Sequence, residues 1–200
     1  MIWHKETKIP KLDLIVIPGG FSYGDYLRSG AMAAHSPVIR EVVSHSKKGA
    51  LVLGICNGFQ ILTESGLLPG VLLRNASLKF ICRNVHLRVE SVNNPFTKGY
   101  TKKQTVKIPI AHGDGNYFIN KNGIKEIEDN EQIAFRYCNA EGGINTESNP
   151  NGSLMNIAGI LNQNKNVLGM MPHPERVSDK FTGGSDGEIL FQGIVEGLSK

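Results

Sequence analysis

Three residues at two corners of the chain have the types and spacing for acyl-transfer chemistry. Cys56 stands in Gly54-Ile55-Cys56-Asn57-Gly58, at the end of the apolar run 50–55. Phe59, Ile61 and Leu62 then space like one face of a helix that stops at Gly66. Strand, G-x-C-x-G and helix make the pattern of a nucleophile elbow, with a thiol in place of the hydroxyl. So tight a corner leaves no room for flanking side chains, hence a glycine on each side. It also aims the first free N–H groups of a helix at the sulfur. Those groups and the helix dipole favour thiolate, so a lowered thiol pKa is expected. The N–H of Asn57 falls where an oxyanion would form. Taken alone, the pattern also fits a buried cysteine closing a core strand.

A thiol nucleophile needs a base, and the chain has six histidines. His4, His35 and His45 lie in terminal or helical surroundings, and His86 lies within a strand. His112 and His173 each follow an apolar strand into a loop, where catalytic side chains are commonly mounted. Pro172 and Pro174 bracket His173 and stiffen its loop. Glu175 follows, and a carboxylate so held can orient an imidazole and stabilise its cation. The same residues also fit a surface turn. Gly19 and Gly20 follow a strand and offer bare backbone to a ligand. The Gly20 N–H is then a second oxyanion donor, or part of an ordinary turn. Gln60 lies four residues after Cys56, on the same helix face, toward substrate or toward water.

These residues need a scaffold. Residues 12–17 read as a buried strand, 27–46 as a helix, and 50–66 as strand, elbow and helix. Residues 67–73 are apolar and punctuated by Pro69-Gly70. Strands follow at 85–89, 106–111 and 133–137, then a long polar loop over 139–153. Residues 157–161 and 167–171 form a hairpin. Ser185 to Glu188 has capping-box spacing and opens a last helix. Strand and helix alternate early, and antiparallel-looking strands fill the middle. The expectation is one α/β domain over 1–200, a doubly wound, mostly parallel sheet with an added antiparallel strand region.

Bulk properties narrow the function. The 200 residues, 40% hydrophobic, suffice for a full core. No apolar run approaches the ~18 residues of a membrane span, and charges stand where a secretory leader would be apolar. Cys56, Cys82 and Cys138 are an odd, scattered set, which argues for a reducing, cytoplasmic compartment and against a disulfide frame or a metal site. Net charge is a mild +4. Lys98, Lys102, Lys103 and Lys107 lack interleaved aromatics, so no nucleic-acid partner is expected.

Gly-Ile-Cys-Asn-Gly-Phe-Gln at 54–60, the stretch 17–31 and Met-Met-Pro-His-Pro-Glu-Arg at 170–176 together resemble a class I, or triad, glutamine amidotransferase domain. The stretches 19–30 and 109–117 narrow the resemblance to the small glutaminase subunits of phosphoribosylformylglycinamidine synthase. It covers essentially the whole chain. It implies a flavodoxin-like fold, Cys56 as nucleophile, His173 as base, Glu175 as its orienter, and oxyanion donors at Gly20 and Asn57. Gln60, Phe21, Tyr23 and Arg28 would meet substrate. The segment 21–30 would also face a partner. The partners implied are a large synthetase subunit, which uses ATP and Mg, and a small accessory subunit. No cofactor is expected in this chain, which lacks a phosphate-binding G-x-x-x-x-G-K-[ST] loop. Glutamine would be hydrolysed through a thioester, and the ammonia would convert formylglycinamide ribonucleotide to its amidine.

Two departures stand out. The family commonly has glutamate where Asp114 stands; the shorter acid keeps the charge. Family members also open with a strand and helix, about 30 residues, ahead of the segment matching 1–6. Without that unit, strand 12–17 lacks an inner neighbour, and an amino-terminally shortened, less stable chain is expected. Two rival expectations remain: a cysteine hydrolase of another substrate on the same fold, and a shortened, inactive subunit that only binds the synthetase.

Overall fold

Two strands rich in Val, Ile and Leu and buried on both faces, Leu51–Ile55 and Val167–Met170, carry most of the site. The computed structural model describes every residue except Leu27, Thr182 and Lys200. Its strands are β1 (Leu14–Ile17), β2 (Leu51–Ile55), β3 (Val71–Leu73), β4 (Ile81–Val89), β5 (Thr105–His112), β6 (Asn116–Phe118), β7 (Ile133–Cys138), β8 (Ile157–Leu161) and β9 (Val167–Met170). Its helices are α1 (Ala31–Ala34), α2 (Pro37–Lys47), α3 (Asn57–Glu64), α4 (Lys121–Asp129) and α5 (Glu188–Leu198). Seven strands form one sheet in the order β1-β2-β9-β8-β7-β4-β5, and β3 pairs with β6 apart from it.

β1, β2 and β9 run parallel, with Ile17 opposite Gly54 and Ile55 opposite Met170. Their carboxyl ends therefore lie level. The segments at 18–20, 56–57 and 171–173 leave from one edge of the sheet, where open α/β sheets bind ligands. The other four pairings, β9 with β8, β8 with β7, β7 with β4 and β4 with β5, are antiparallel. The α/β class and its antiparallel region are as expected, with the parallel part confined to three strands. β1 is an edge strand, and Val16 on it is 47% exposed.

Local chemistry explains where the elements differ from expectation. The helix expected over 27–46 is two helices; of its start, Leu27 lies outside the described residues. Ser36 precedes Pro37 and is extended, with φ −62° and ψ 144°. A residue before proline is driven out of the helical region, while proline itself suits the first helical position. Residues 1–4 pair with no described strand; His4 leans on Tyr23 through a 2.7 Å hydrogen bond. β6 and α4 were not expected. α4 starts at Asn120, whose Oδ1 accepts from the N–H of Gly123 at 2.9 Å. The capping box expected at Ser185 to Glu188 does not form. The cap of α5 is Gly187, without a side-chain bond. Asp186 instead accepts from the N–H of Lys107 at 2.6 Å, which ties the start of α5 to β5.

The core joins α3 to β2 and β9. Leu53, Phe59, Leu62 and Leu168 are fully buried there, so the corner between β2 and α3 is clamped from both sides. Among the described residues no helix is long and apolar enough to cross a membrane.

Candidate active site

The corner at Cys56 has the expected shape. Cys56 itself takes φ 52° and ψ −106°, a strained conformation for a residue with a side chain. A Cβ on Gly58 would lie 2.1 Å from the carbonyl oxygen of Ile17, and one on Gly54 would lie 2.5 Å from Leu62 Cδ1. Both glycines are therefore dictated by close packing, as the pattern predicted.

The Cys56 side chain lines a cavity of about 750 Å³, together with Gly20, Ala111, His112, His173 and Glu175. That volume suits a small molecule. Gly19 brings Cys56 and His173 together. A Cβ built on it would stand 2.9 Å from Cε1 of His173 and 3.4 Å from Cβ of Cys56. His173 is fixed from two directions. Its N–H donates to the carbonyl of Pro109 at 2.8 Å, which docks the loop on β5. Nδ1 of its ring lies 2.7 Å from Oε1 of Glu175. A carboxylate only accepts, so Nδ1 carries the proton and Nε2 holds the free lone pair. Nε2 is buried and has no partner among the described residues.

The thiol departs from expectation. Burial pushes its pKa up to about 12, the N–H of Asn57 pulls it down, and the charges of Asp25 and Glu175 push it up further. The expected lowering by the helix start is thus outweighed by desolvation. Cys56 rests as a thiol, with Sγ donating to the carbonyl of Ala111 at 3.7 Å.

The remaining expected residues divide. Phe21, Gly20, Asn57 and Gln60 line the cavity. Gln60 is already engaged: Nε2 donates to the carbonyl of Asp114 at 2.6 Å, and Oε1 accepts from Asn57 Nδ2 at 2.7 Å. The N–H of Ser22 donates to Asn57 Oδ1 at 3.0 Å. Tyr23 and Arg28 are not among the cavity residues. Tyr23 has φ 56°, which turns its ring toward His4 and Ser36, and Arg28 pairs with Glu64 on α3. Both act as braces for the 21–30 segment. His112, one of the two loop histidines, lines the cavity and is buried; Asp25 and Asp114, which were not read as site residues, line it too. The charge at 25 and 114 was visible, but nothing in its spacing showed that the two would converge. Among the described residues no group of three or more His, Cys, Asp or Glu is disposed to hold a metal ion.

An elbow thiol, an imidazole with a free Nε2 and a carboxylate behind it, at the carboxyl edge of parallel strands, define a cysteine amidotransferase of the triad type. A family model for the CobB/CobQ-like glutamine amidotransferase domain matches residues 1–185. Phosphoribosylformylglycinamidine synthase subunit PurQ of Acaryochloris marina is 56% identical over 198 residues, 99% of this chain and 84% of that protein. The PurQ subunit of Synechocystis sp. is 57% identical over 190 residues, 95% of this chain and 85% of that one. Among solved structures, PurLQS from Thermotoga maritima superposes with a TM-score of 0.83 at 45% identity, over 96% of this chain and 82% of that one. The chain belongs to the glutamine amidotransferase family, in its PurQ branch, the glutaminase subunits of phosphoribosylformylglycinamidine synthase.

Proposed function

We propose that Cys56, His173 and Glu175 are the catalytic triad of this glutaminase, in one domain that spans residues 1–200. The observation that carries this reading is the meeting of Cys56 and His173 across Gly19, with Glu175 behind the imidazole. The Cys56 sulfur attacks the side-chain amide carbon of glutamine, and Nε2 of His173 takes the thiol proton. Because the resting thiol is held near 12, this transfer belongs to the attack itself. The imidazolium so formed is stabilised by Glu175.

The N–H groups of Asn57 and Gly20 receive the oxyanion, each worth about 3 kcal/mol in comparable sites. His173 returns its proton to the departing nitrogen, and ammonia leaves a thioester on Cys56. His173 then takes a proton from water, which attacks the thioester carbonyl. Glutamate departs and the thiol is restored.

Ammonia in bulk water at neutral pH would become ammonium, which is no nucleophile. A synthetase must therefore receive it directly. The likeness to PurLQS supports assembly with a large synthetase subunit and a small accessory one. ATP and Mg belong to the synthetase, where the ammonia converts formylglycinamide ribonucleotide to its amidine. The three free cysteines agree with a cytoplasmic setting. The assembled pair at Gly19 speaks against a subunit that only binds its partner.

The test is glutamate release from glutamine, with and without the synthetase subunits, beside Cys56→Ala. Release that requires the partners and vanishes in the variant is expected. Release that survives Cys56→Ala would sink the assignment.

A further inference from the structure

The cavity that holds Cys56 also takes in two carboxylates that the reaction leaves unused, Asp25 and Asp114. Asp25 leaves a left-handed backbone at φ 53° and is half-buried. Asn57 Nδ2 donates to its Oδ1 at 3.3 Å. Asp114 accepts from Ser29 Oγ at 2.6 Å, and its other oxygen lies 3.7 Å from Nε of the mostly exposed Arg74. Burial first, then the charge of Asp114, push the Asp25 carboxyl above its usual range, against Ser29 and Asn57, which favour its charge.

We propose that Asp25, with Asp114 beside it, is the seat of the α-ammonium group of the substrate glutamine. This deepens the reading of Cys56 as nucleophile and rests on it. Glutamine carries its cation about 5 Å from its amide carbon when extended, by ordinary bond lengths. One residue spans the site on that scale. The backbone N–H of Asn57 faces the Cys56 sulfur, while its side chain reaches Asp25. Two like charges converging in a cavity repel, and a cation between them converts that repulsion into charge-assisted hydrogen bonds. An amide without the cation leaves both carboxylates facing each other, so the pair selects as well as binds.

The test uses the chain assembled with its synthetase subunits, and compares glutamine with glutaramate, the same amide without the α-ammonium group. The wild-type complex is expected to prefer glutamine at least 100-fold in kcat/KM. Asp25→Asn is expected to cut that preference at least tenfold, mainly through KM, and Asp25→Glu to keep most of it. Turnover fed by ammonium chloride counts the assembled synthetase in each preparation and normalises the rates. Cys56→Ala checks the nucleophile separately, since it removes the use of both amides alike. Equal use of the two amides by the wild-type complex, or an unchanged preference in Asp25→Asn, overturns the proposal. Should Asp25→Asn not assemble, the wild-type ratio and Asp114→Asn decide.

Discussion

The backbone of Gly19 lies against the imidazole of His173: a Cβ on the glycine would stand 2.9 Å from Cε1 of that ring. The contact sets how near His173 can come to Cys56, whose Cβ lies 3.4 Å from the same point. Gly19→Ala would press the ring off its position, and a displacement on the scale of 1 Å can cost about 100-fold in rate. A loss of about that size in glutamine-fed turnover is expected, with thermal unfolding little changed. Full activity in the variant would show that the ring has room to yield.

Glu175 holds His173 in one tautomer through the 2.7 Å contact at Nδ1. In Glu175→Gln the amide can present an N–H to Nδ1, which moves the ring proton to Nε2 and removes the lone pair that should take the thiol proton. A loss on the order of 10²- to 10⁴-fold in kcat for glutamine is expected. Steady-state rates in the assembled complex measure it, with Glu175→Asp retaining part of the activity.

The state of the Cys56 thiol has a chemical consequence. The thiolate is the reactive form, and at neutral pH a group held near 12 supplies almost none of it. Cys56 is also buried, whereas Cys82 is exposed on β4. Brief treatment of the free chain with iodoacetamide at pH 7 should therefore label Cys82 well ahead of Cys56. Peptide mass mapping reads the order. Preferential labelling of Cys56 would mean that its thiolate is stabilised by something the free chain's geometry does not supply.

That difference also marks what could be read from sequence. The corner at Cys56 and the pairing of His173 with Glu175 were legible because each is a local pattern: glycines two residues either side of Cys56, prolines either side of His173. The direction of the thiol pKa was not. It is decided by burial within the sheet and by Asp25 and Glu175, which come from distant parts of the chain. Tyr23 and Arg28 were misplaced for a similar reason. Left-handed turns at Tyr23 and Asp25 redirect the segment, so that Asp25, not Tyr23, lines the cavity. α4 went unseen because Ile124 and Ile127 are its only large apolar side chains, and only Ile127 is fully buried.

His112 makes acid stability predictable. Its Nδ1 lies 3.0 Å from Oδ1 of Asn75, an oxygen that also accepts from the N–H of Gly115, while Asn75 Nδ2 donates to two carbonyls. That arrangement fixes the amide, so Nδ1 of His112 carries the proton. Nε2 is buried without a partner among the described residues. Burial, then the nearby His173, lower its pKa from 6.5 to about 4. The folded chain thus keeps His112 neutral where the unfolded chain would protonate it. As pH falls from 6.5 toward 4, the unfolded state binds the extra proton, and stability drops by up to roughly 3 kcal/mol from this residue. The raised Asp25 carboxyl acts with the opposite sign, stabilising the fold as it protonates, so it reduces the drop at the acid end. Urea denaturation across that pH range should show the decline, and His112→Gln, though less stable at neutral pH, should flatten it. A slope as steep in the variant as in the wild type would assign the acid sensitivity to another group.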